Sequence, residues 1–413
     1  MHRSRWNIGL ALVITAMLSV GMAHAAQYPP ANHAGSDLTL SSGDLIWGNH
    51  INVGRFVIPS TATVTIRAYS STVGTGILEV HATDIIVSGT LTAQGAGHWG
   101  GAGGGGGGGA SVYGFTGALL PGHGGAGGSG SGFASNGFLG SDGRGAFGTI
   151  ASGGNGGQGG TGGGPGGARG GGGGTAVIGS VGGPGLGGLN GGYMVAGGNG
   201  DHTTTWDVFM GGGGGGGGAG AGGGAGVPGI VGKIAGGGGG SGATGGNGGG
   251  AIKFFATNGL RISGMIDTRG SGNGVAGING QDGIITLTSS IGGGGAAGAN
   301  SAAVGGTGVG GAGGHGIADR ALGVGYNGGS GGGSGDGGGG GILLHCTMPD
   351  GLDLTSGTLD ARGGGASAVN GGTIKIFYAG TDPTTSTVTI FAGRLLKEQG
   401  DVILPAQRWE LYR

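Results

Sequence analysis

Three copies of one strand-rich unit recur along the chain, and this repeat constrains the fold more than any other feature. Each copy reads as a strand, a short turn, a second strand, a Ser-Gly pair and a third strand that ends in Gly; the copies span 76–95, 251–270 and 341–363. A looser copy runs from 373 to 393, and residues 56–68 fit a further one. A unit of about 20 residues cannot bury its apolar face alone, so the copies must stack on one another. The sequence therefore predicts an all-β fold, a parallel β-solenoid (β-helix) built from these rungs.

Alternation within the copies predicts which side chains face the core. In the third copy Ile342, Leu344 and Cys346 share one face of the strand, whereas Leu343, His345 and Thr347 share the other. The Ser-Gly pairs mark the corners between strands, and we expect their glycines to adopt positive φ, which glycine reaches without a Cβ penalty. These pairs are Ser88-Gly89, Ser263-Gly264 and Ser356-Gly357.

Glycine tracts separate the copies, and 131 of the 413 residues are Gly, against an average usage of about 7%. Gly occupies every third position from 211 to 232 and again from 305 to 314. Three residues per turn is the period of a polyproline II type helix, so the tracts can form polyglycine II helix bundles with one bare edge per helix. The alternative is a flexible glycine-rich coil.

The alternation of strand-rich copies and glycine tracts, together with the N-terminal segment, divides the chain into six predicted parts. They are a signal peptide (1–25), an N-terminal cap with the first β-solenoid rungs (26–96), a glycine-rich excursion (97–250), a rung (251–291), a second excursion (292–340) and C-terminal rungs with a cap (341–413). The signal peptide is predicted from positive charge at Arg3 and Arg5, the apolar run 8–22 and the small-x-small site at 23–25. We therefore expect a secreted protein at the cell surface or outside the cell, with no membrane span after cleavage.

The charge composition limits the classes of partner, and the single cysteine limits how the fold is stabilised. Charged residues make up 8% of the chain and the formal net charge is −1, which excludes the basic footprint of a nucleic-acid-binding protein. The single cysteine, Cys346, cannot form an internal disulfide, so the fold must hold without one in an oxidising compartment. Within an apolar strand it is expected to be a small buried hydrophobe. The expected partner is a cell-surface or extracellular polymer, glycan or protein, with self-association of the chain as a further possibility.

Residues for catalysis are scarce, and we predict no catalytic residue, no metal site and no cofactor. Only three Glu are present, whereas acid–base chemistry on a glycan needs paired carboxylates. Asp267-x-Arg269 and Asp360-x-Arg362 occupy matching repeat positions and are interpreted as structural ion pairs. The segment 277–284 partly matches a calcium-binding nonapeptide but occurs once, so it is interpreted as a turn.

Large side chains within the glycine-rich region are the candidate binding residues. Two interpretations stand: they anchor the excursion on the rungs, or they contact a ligand at loop tips, where aromatics carry much of a binding energy. The candidates are Trp99, Tyr113, Phe115, Tyr193, Thr204 and Trp206.

The repeat resembles the glycine-rich exported proteins of bacteria that carry strand, Ser/Asn-Gly, strand and glycine-tract units. The match covers roughly Phe56 to Gly393 and rests on 86–91, 262–266 and 354–359. The tracts are similar to the polyglycine II bundles of phage tail-fibre adhesins and of the springtail antifreeze protein. These resemblances imply an exported scaffold, with receptor binding at bundle tips or ice binding by a flat face. The predicted signal peptide is a difference from the phage tail-fibre adhesins.

Three functions from different classes follow. The first is a secreted or cell-surface structural protein, such as an adhesin, a matrix component or a coat component. The second is an ice- or carbohydrate-binding module that uses threonine ladders at 61–65 and 385–389. The third is a polysaccharide-active β-helix enzyme that uses Asp267 and Asp360. The scarcity of reactive residues favours a protein that is not an enzyme.

Overall fold

The structure is a computed structural model, and it describes most of the chain from residue 25 to residue 399. The described residues are 25–70, 75–113, 118–127, 135–147, 150–159, 161, 168–169, 172–176, 180, 184, 186, 189, 207–211, 219, 221, 225–226, 233–272, 274–285, 289–297, 312–318, 325–366, 370–385 and 387–399. They form β-strands, extended glycine segments and two single-turn 3₁₀ helices, and this described part contains no α-helix.

The strands are numbered in chain order. Before residue 97 they are β1 Gln27–Tyr28, β2 Ala31–Asn32, β3 Leu38–Thr39, β4 Leu45–Ile46, β5 Gly48–Ile58, β6 Thr63–Ile66, β7 Ile77–Val87 and β8 Thr90–Thr92. Between 97 and 250 they are β9 Ser111–Tyr113, β10 Ala118–Leu120, β11 Gly145–Phe147, β12 Ile150–Ala151, β13 Ala225–Gly226 and β14 Lys233–Ala235. Between 251 and 340 they are β15 Ala251–Ile262, β16 Met265–Asp267, β17 Ile284–Ile285, β18 Ser289–Ile291 and β19 Ile317–Ala318. The last are β20 Gly341–Pro349, β21 Leu352–Asp353, β22 Thr358–Asp360, β23 Thr373–Ala379, β24 Thr389–Phe391 and β25 Arg394–Gln399, with the 3₁₀ helices at Gly364–Ala366 and Pro383–Thr385.

Two parallel sheets contain the repeated units. A nine-stranded sheet follows the order β2-β5-β7-β15-β20-β23-β25, with β3 paired to β5 and β21 paired to β15. A seven-stranded sheet follows the order β1-β4-β6-β8-β16-β22-β24. Every pairing in both sheets is parallel. The predicted all-β fold with parallel stacked strands is confirmed at this level.

Strand register confirms the alignment of the copies. Ala251 pairs with Ile77 on one side and with Gly341 on the other. In the second sheet Met265 pairs with Thr90 and with Thr358. The looser copies join the same stacks, because β23 and β24 continue them at one end and β5 and β6 at the other. Residues far apart in sequence therefore occupy equivalent positions in adjacent strands.

The inward faces of both sheets share one apolar core. Ile342, Leu344 and Cys346 belong to it, as the alternation predicts, whereas Leu343 packs in a separate cluster outside. Phe56 and Phe254, from β5 and β15, are both fully buried and their ring centroids lie 5.6 Å apart. Burying one such side chain stabilises the fold by about 1.5–3 kcal/mol, so the stacking of the copies is the main apolar contribution to stability.

The Ser-Gly corners are tight for a different reason from the one predicted. The glycines Gly89, Gly264 and Gly357 do not have positive φ; at these pairs it is Ser356 that does, at 62°. A Cβ on Gly264 would overlap the carbonyl oxygen of Gly89 in the adjacent strand layer. Glycine is required here because neighbouring corners pack backbone against backbone, and the prediction of positive φ was wrong.

The glycine-rich segments are joined by backbone hydrogen bonds with a period of three residues. Every third amide of 236–248 donates to every third carbonyl of 98–110, at N···O distances of 2.8 to 3.0 Å. The pairs are Gly236 to Ala110, Gly239 to Gly107, Gly242 to Gly104, Gly245 to Gly101 and Gly248 to His98. The two segments therefore run antiparallel, in register by threes rather than by twos as in a β-ladder.

Residues 104–109 lie at the centre of this arrangement, and all six are buried. Their hydrogen bonds point in three directions that repeat every third residue, which indicates three residues per turn. Positions 104 and 107 bond to 239–242, positions 105 and 108 to 138–141 and 154–157, and positions 106 and 109 to 122–125 and 293–296. Three small sheets, of orders β10-β18-β17, β11-β9-β14-β19 and β12-β13, lie within or beside the glycine-rich region.

Candidate ligand-binding cleft

A column of aromatic and imidazole rings crosses the outer face of the nine-stranded sheet. Strand register aligns His81, Phe255, His345 and Phe377 on β7, β15, β20 and β23. His81 and Phe255 stack with ring centroids 4.5 Å apart and planes 7° apart. The next two contacts are edge-on, at 6.0 Å from Phe255 to His345 and 6.4 Å from His345 to Phe377. The four rings form one row of contacts across four stacked strands, in which His345 and Phe377 are buried.

An ion-pair network lies beside the ring column. Lys253 contacts Glu79 at 3.5 Å and also pairs with Asp207, while Glu79 accepts a hydrogen bond of 2.8 Å from His81 Nε2. Burial alone would raise the pKa of Glu79, but the hydrogen bond from His81 and the charge of Lys253 lower it below its usual value. These groups therefore satisfy one another on a partly buried surface.

The segment 207–211 fixes the glycine-rich region to this outer face. Val208 is fully buried in a cluster with Ala251, Leu343 and Phe377, and Met210 packs against the same cluster. Gly211 donates to the carbonyl of Gly249, and its own carbonyl accepts from His98. The segment is thus an anchor between the glycine-rich region and the nine-stranded sheet.

Irregularities in strand pairing recur at one repeat position in three of the four strands that line a cleft next to the rings. The register shifts between His50 and Val53 in β5, between Ala256 and Gly259 in β15, and between Cys346 and Pro349 in β20. Such bulges bend a strand and re-aim its side chains. The cleft has a volume of about 230 Å³, and Asn52, Thr83, Thr257 and Thr347 form its exposed side.

Three members of the ring column, His81, Phe255 and His345, line the cleft. His81 and Phe255 are half-buried, and His345 on the next strand is 2% exposed. Burial and the nearby His81 lower the pKa of His345 from 6.5 to about 4, so its ring is neutral at physiological pH. Thr347 donates from Oγ1 to the carbonyl oxygen of Thr257 at 3.1 Å, which ties the threonine side of neighbouring strands together.

Each Asp-Arg pair of the repeat forms an ion pair, and the two pairs lie side by side in adjacent strands. Asp267 and Asp360 are partners in β16 and β22, and their side chains are 5% and 1% exposed. Asp267 accepts two hydrogen bonds from the Arg269 guanidinium, at 2.9 and 2.8 Å, and Asp360 accepts two from Arg362. Arg269 also lies 3.6 Å from Asp360. These contacts leave both carboxylates almost fully buried against their arginines.

Of the six candidate binding residues, the structure describes two. Trp99 is half-buried, and its ring centroid lies 6.0 Å from that of Tyr69 in an edge contact. The backbone of Tyr113 in β9 pairs with Phe147 and Lys233. Phe115, Tyr193, Thr204 and Trp206 lie outside the described residues. The binding role of all six stays a prediction.

The ring column escaped the sequence analysis, although a signal for it exists. Once the copies are aligned, His81, Phe255, His345 and Phe377 occupy one repeat position. A column of four ring residues at an outward position stands out against the surrounding Glu, Lys, Leu and Thr. The cleft had no such signal, because the bulges that create it follow from strand pairing.

The threonine ladder predicted at 61–65 is present in part, because Thr63 and Thr65 lie in β6 whereas Thr61 lies in the preceding turn. Thr63 pairs with Thr90 and Thr65 with Thr92, which places four threonines in a small array. The array ends at β16, where Met265 and Asp267 take these positions. The ladder predicted at 385–389 was wrong, because Thr385 ends a 3₁₀ helix.

Other candidate sites can be placed in the structure. Asp282 accepts from the amide of His315 at 2.6 Å and Asn279 from that of Ala312 at 2.8 Å, so this segment bonds to a neighbouring glycine segment. Among the described residues, no three His, Cys, Asp or Glu side chains come together to hold a metal ion. Nor does the described part contain a helix long and apolar enough to cross a bilayer. No protein-family model, no curated protein and no solved structure matches this chain.

Proposed function

We propose that this chain is an exported structural protein of the cell surface or the extracellular space, acting as an adhesin, a matrix component or a coat component rather than as an enzyme. The observation that carries the proposal is the packing of 104–109, which five neighbouring segments surround with backbone hydrogen bonds alone. A structure held through its backbone needs few reactive or charged side chains. A rigid fold with few reactive side chains suits a structural protein.

The architecture that supports this proposal is a β-solenoid carrying polyglycine II helix bundles. Two parallel sheets share one core, and successive copies add one strand to each, as successive turns of a solenoid would. The three-residue period of the glycine hydrogen bonds is the period of polyglycine II. Both parts grow by adding identical layers, so both give extended, stiff shapes.

The contacts of Asp267 and Asp360 argue against the enzyme alternative. Glycoside hydrolysis needs two carboxyl groups on either side of the bond to be cleaved. Here each carboxylate is buried and hydrogen-bonded to an arginine. Thr92 Oγ1 also donates to Asp267, at 3.4 Å. The pair therefore acts as a structural ladder between two strands.

Localisation tests the proposal directly. Immunogold electron microscopy on intact producing cells, with an antibody against residues 373–413, should label the envelope or extracellular fibres. Fractionation should recover the protein from the surface, matrix or medium. Label confined to the periplasm, or to the cytoplasm, would overturn the proposal.

An ice-binding function is the second candidate, and the threonine array on β6 and β8 favours it. Thr63 and Thr65 are exposed, and Thr90 and Thr92 lie beside them at the spacing of adjacent strands, about 4.8 Å. A regular hydroxyl array of this kind can order water. A thermal hysteresis assay showing no activity would remove this candidate.

A further inference from the structure

We infer that the cleft over the ring column binds one chain of a neutral polysaccharide. This inference rests on the proposed function, because it names the polymer to which the exported scaffold adheres and the surface that holds it. The groups involved are the rings of His81 and Phe255 and the hydroxyls of Thr83, Thr257 and Thr347, all of which line the cleft.

The direction of the cleft suits an extended polymer. It crosses β5, β7, β15 and β20, and four strands at about 4.8 Å spacing give a length of about 15 Å. Its volume of about 230 Å³ is below the roughly 300–1,000 Å³ of sites that enclose a small molecule. An open cleft of this length holds a few sugar rings of a chain that continues beyond both ends.

The lining offers the two kinds of contact that a sugar needs. Stacking covers one face of His81 and one face of Phe255, and both residues remain half-buried, so part of their apolar ring surface lines the cleft. Thr83 and Thr257 are exposed, and the amide of Asn52 lies at the end of the row. Apolar ring surface beside repeated hydroxyls matches a pyranose, which has apolar C–H faces and a polar rim.

The charge of the cleft and the pairing of its strands disfavour two other classes of polymer, anionic polysaccharides and peptides that bind as an added strand. Among the described residues, no carboxylate, lysine or arginine lines the cleft, and neighbouring Glu79 and Lys253 pair with each other. An anionic polysaccharide would meet no complementary charge. A peptide that binds as an added strand needs an open strand edge, whereas β7, β15 and β20 are each paired on both sides. A neutral glycan brings its own hydroxyls and needs no such edge.

Calorimetric titration of the full chain tests the inference. The probes are hexasaccharides of β-1,4-glucose, β-1,3-glucose, α-1,4-glucose and β-1,4-N-acetylglucosamine, with hexagalacturonate as the anionic comparison. At least one neutral probe should bind, and Thr83→Val with Thr257→Val should weaken it about tenfold or more, as expected for lost hydrogen bonds. Phe255→Ala should weaken it further. The control is Thr63→Val with Thr65→Val on the other sheet, which should leave the affinity unchanged.

Several outcomes would overturn the inference. One is no binding of any neutral probe at millimolar concentration, and another is binding of the anionic probe alone. A third is binding that the threonine pair and Phe255→Ala both leave unchanged, which would place the glycan elsewhere. None of these results bears on where the protein is located, so the scaffold proposal and the glycan inference fail separately.

Discussion

At the scale of single residues, glycine sets the limits of this fold. A Cβ on Gly106 would overlap the carbonyl oxygen of Gly239 and lie 2.7 Å from its carbonyl carbon. Both are backbone atoms, so the neighbouring segment itself would have to move. On Gly172 the nearest atom is Leu186 Cδ1 at 3.5 Å, an ordinary contact. Two glycines of the same region therefore have opposite tolerance.

We expect Gly106→Ala to lower the free energy of unfolding by about 2 kcal/mol, the cost of an overpacked interior. Gly172→Ala should instead be neutral or raise it by up to about 1 kcal/mol, because alanine restricts the unfolded chain. Urea denaturation followed by tryptophan fluorescence compares the two variants with the parent. Equal effects of the two changes would contradict the packed arrangement of 104–109.

His345 links the ring column to pH. Its pKa in the folded chain, about 4, is lower than its ordinary 6.5, because burial and His81 disfavour the charged ring. The unfolded chain therefore binds a proton first as pH falls. The stabilisation is complete above about pH 6.5 and is lost progressively as pH falls to about 4, a change of about 3 kcal/mol.

The variant His345→Phe should remove this pH dependence, since phenylalanine occupies the same column at Phe255 and Phe377. Unfolding free energies measured between pH 7 and 4 should fall less steeply than in the parent. His123, whose side chain is 90% exposed, provides the control, and His123→Phe should keep the parent's slope. A parent whose stability does not change over this range would disprove the assignment.

At the scale of elements, the anchor 207–211 connects two different architectures. Val208 packs against Leu343 and Phe377 on the outer face of the nine-stranded sheet, and Gly211 bonds to Gly249. Val208→Ala should destabilise the fold by about 2 kcal/mol, the value of two buried methyl groups. Phe209→Leu, at a side chain that is 40% exposed, should change it by less than about 0.5 kcal/mol.

Hydrogen exchange with mass spectrometry locates the effect of the anchor. In Val208→Ala, exchange should speed up in peptides covering 98 and 207–211, which carry the anchor's hydrogen bonds. Peptides from β5, at the N-terminal end of the stack, should keep the parent's protection. Uniform acceleration throughout the sheets would mean that the segment is part of the core rather than an anchor.

At the scale of the whole molecule, the glycine-rich region decides whether this is a compact scaffold or a stack of strands with loose loops. The described segments form a hydrogen-bonded bundle around 104–109. Amides in 98–110 and 236–248 should therefore exchange as slowly as those of 251–256 in β15. Complete exchange of these peptides within seconds, with β15 protected, would support the flexible coil.

The sequence by itself determined the repeat, the register of its copies and the inward positions of residues such as Ile342 and Leu344. These features could be predicted from the alternation of apolar residues and the spacing of glycines, because such patterns depend on only a few neighbouring residues. Only the tertiary structure showed which residues that are far apart in the sequence contact one another. The ring column's exact stacking, the cleft beside it and the anchor at Val208 each join residues more than 100 positions apart. Glycine has no side chain to specify its neighbours, so which glycine segments meet depends on the lengths of chain between them and on where the strands hold their ends.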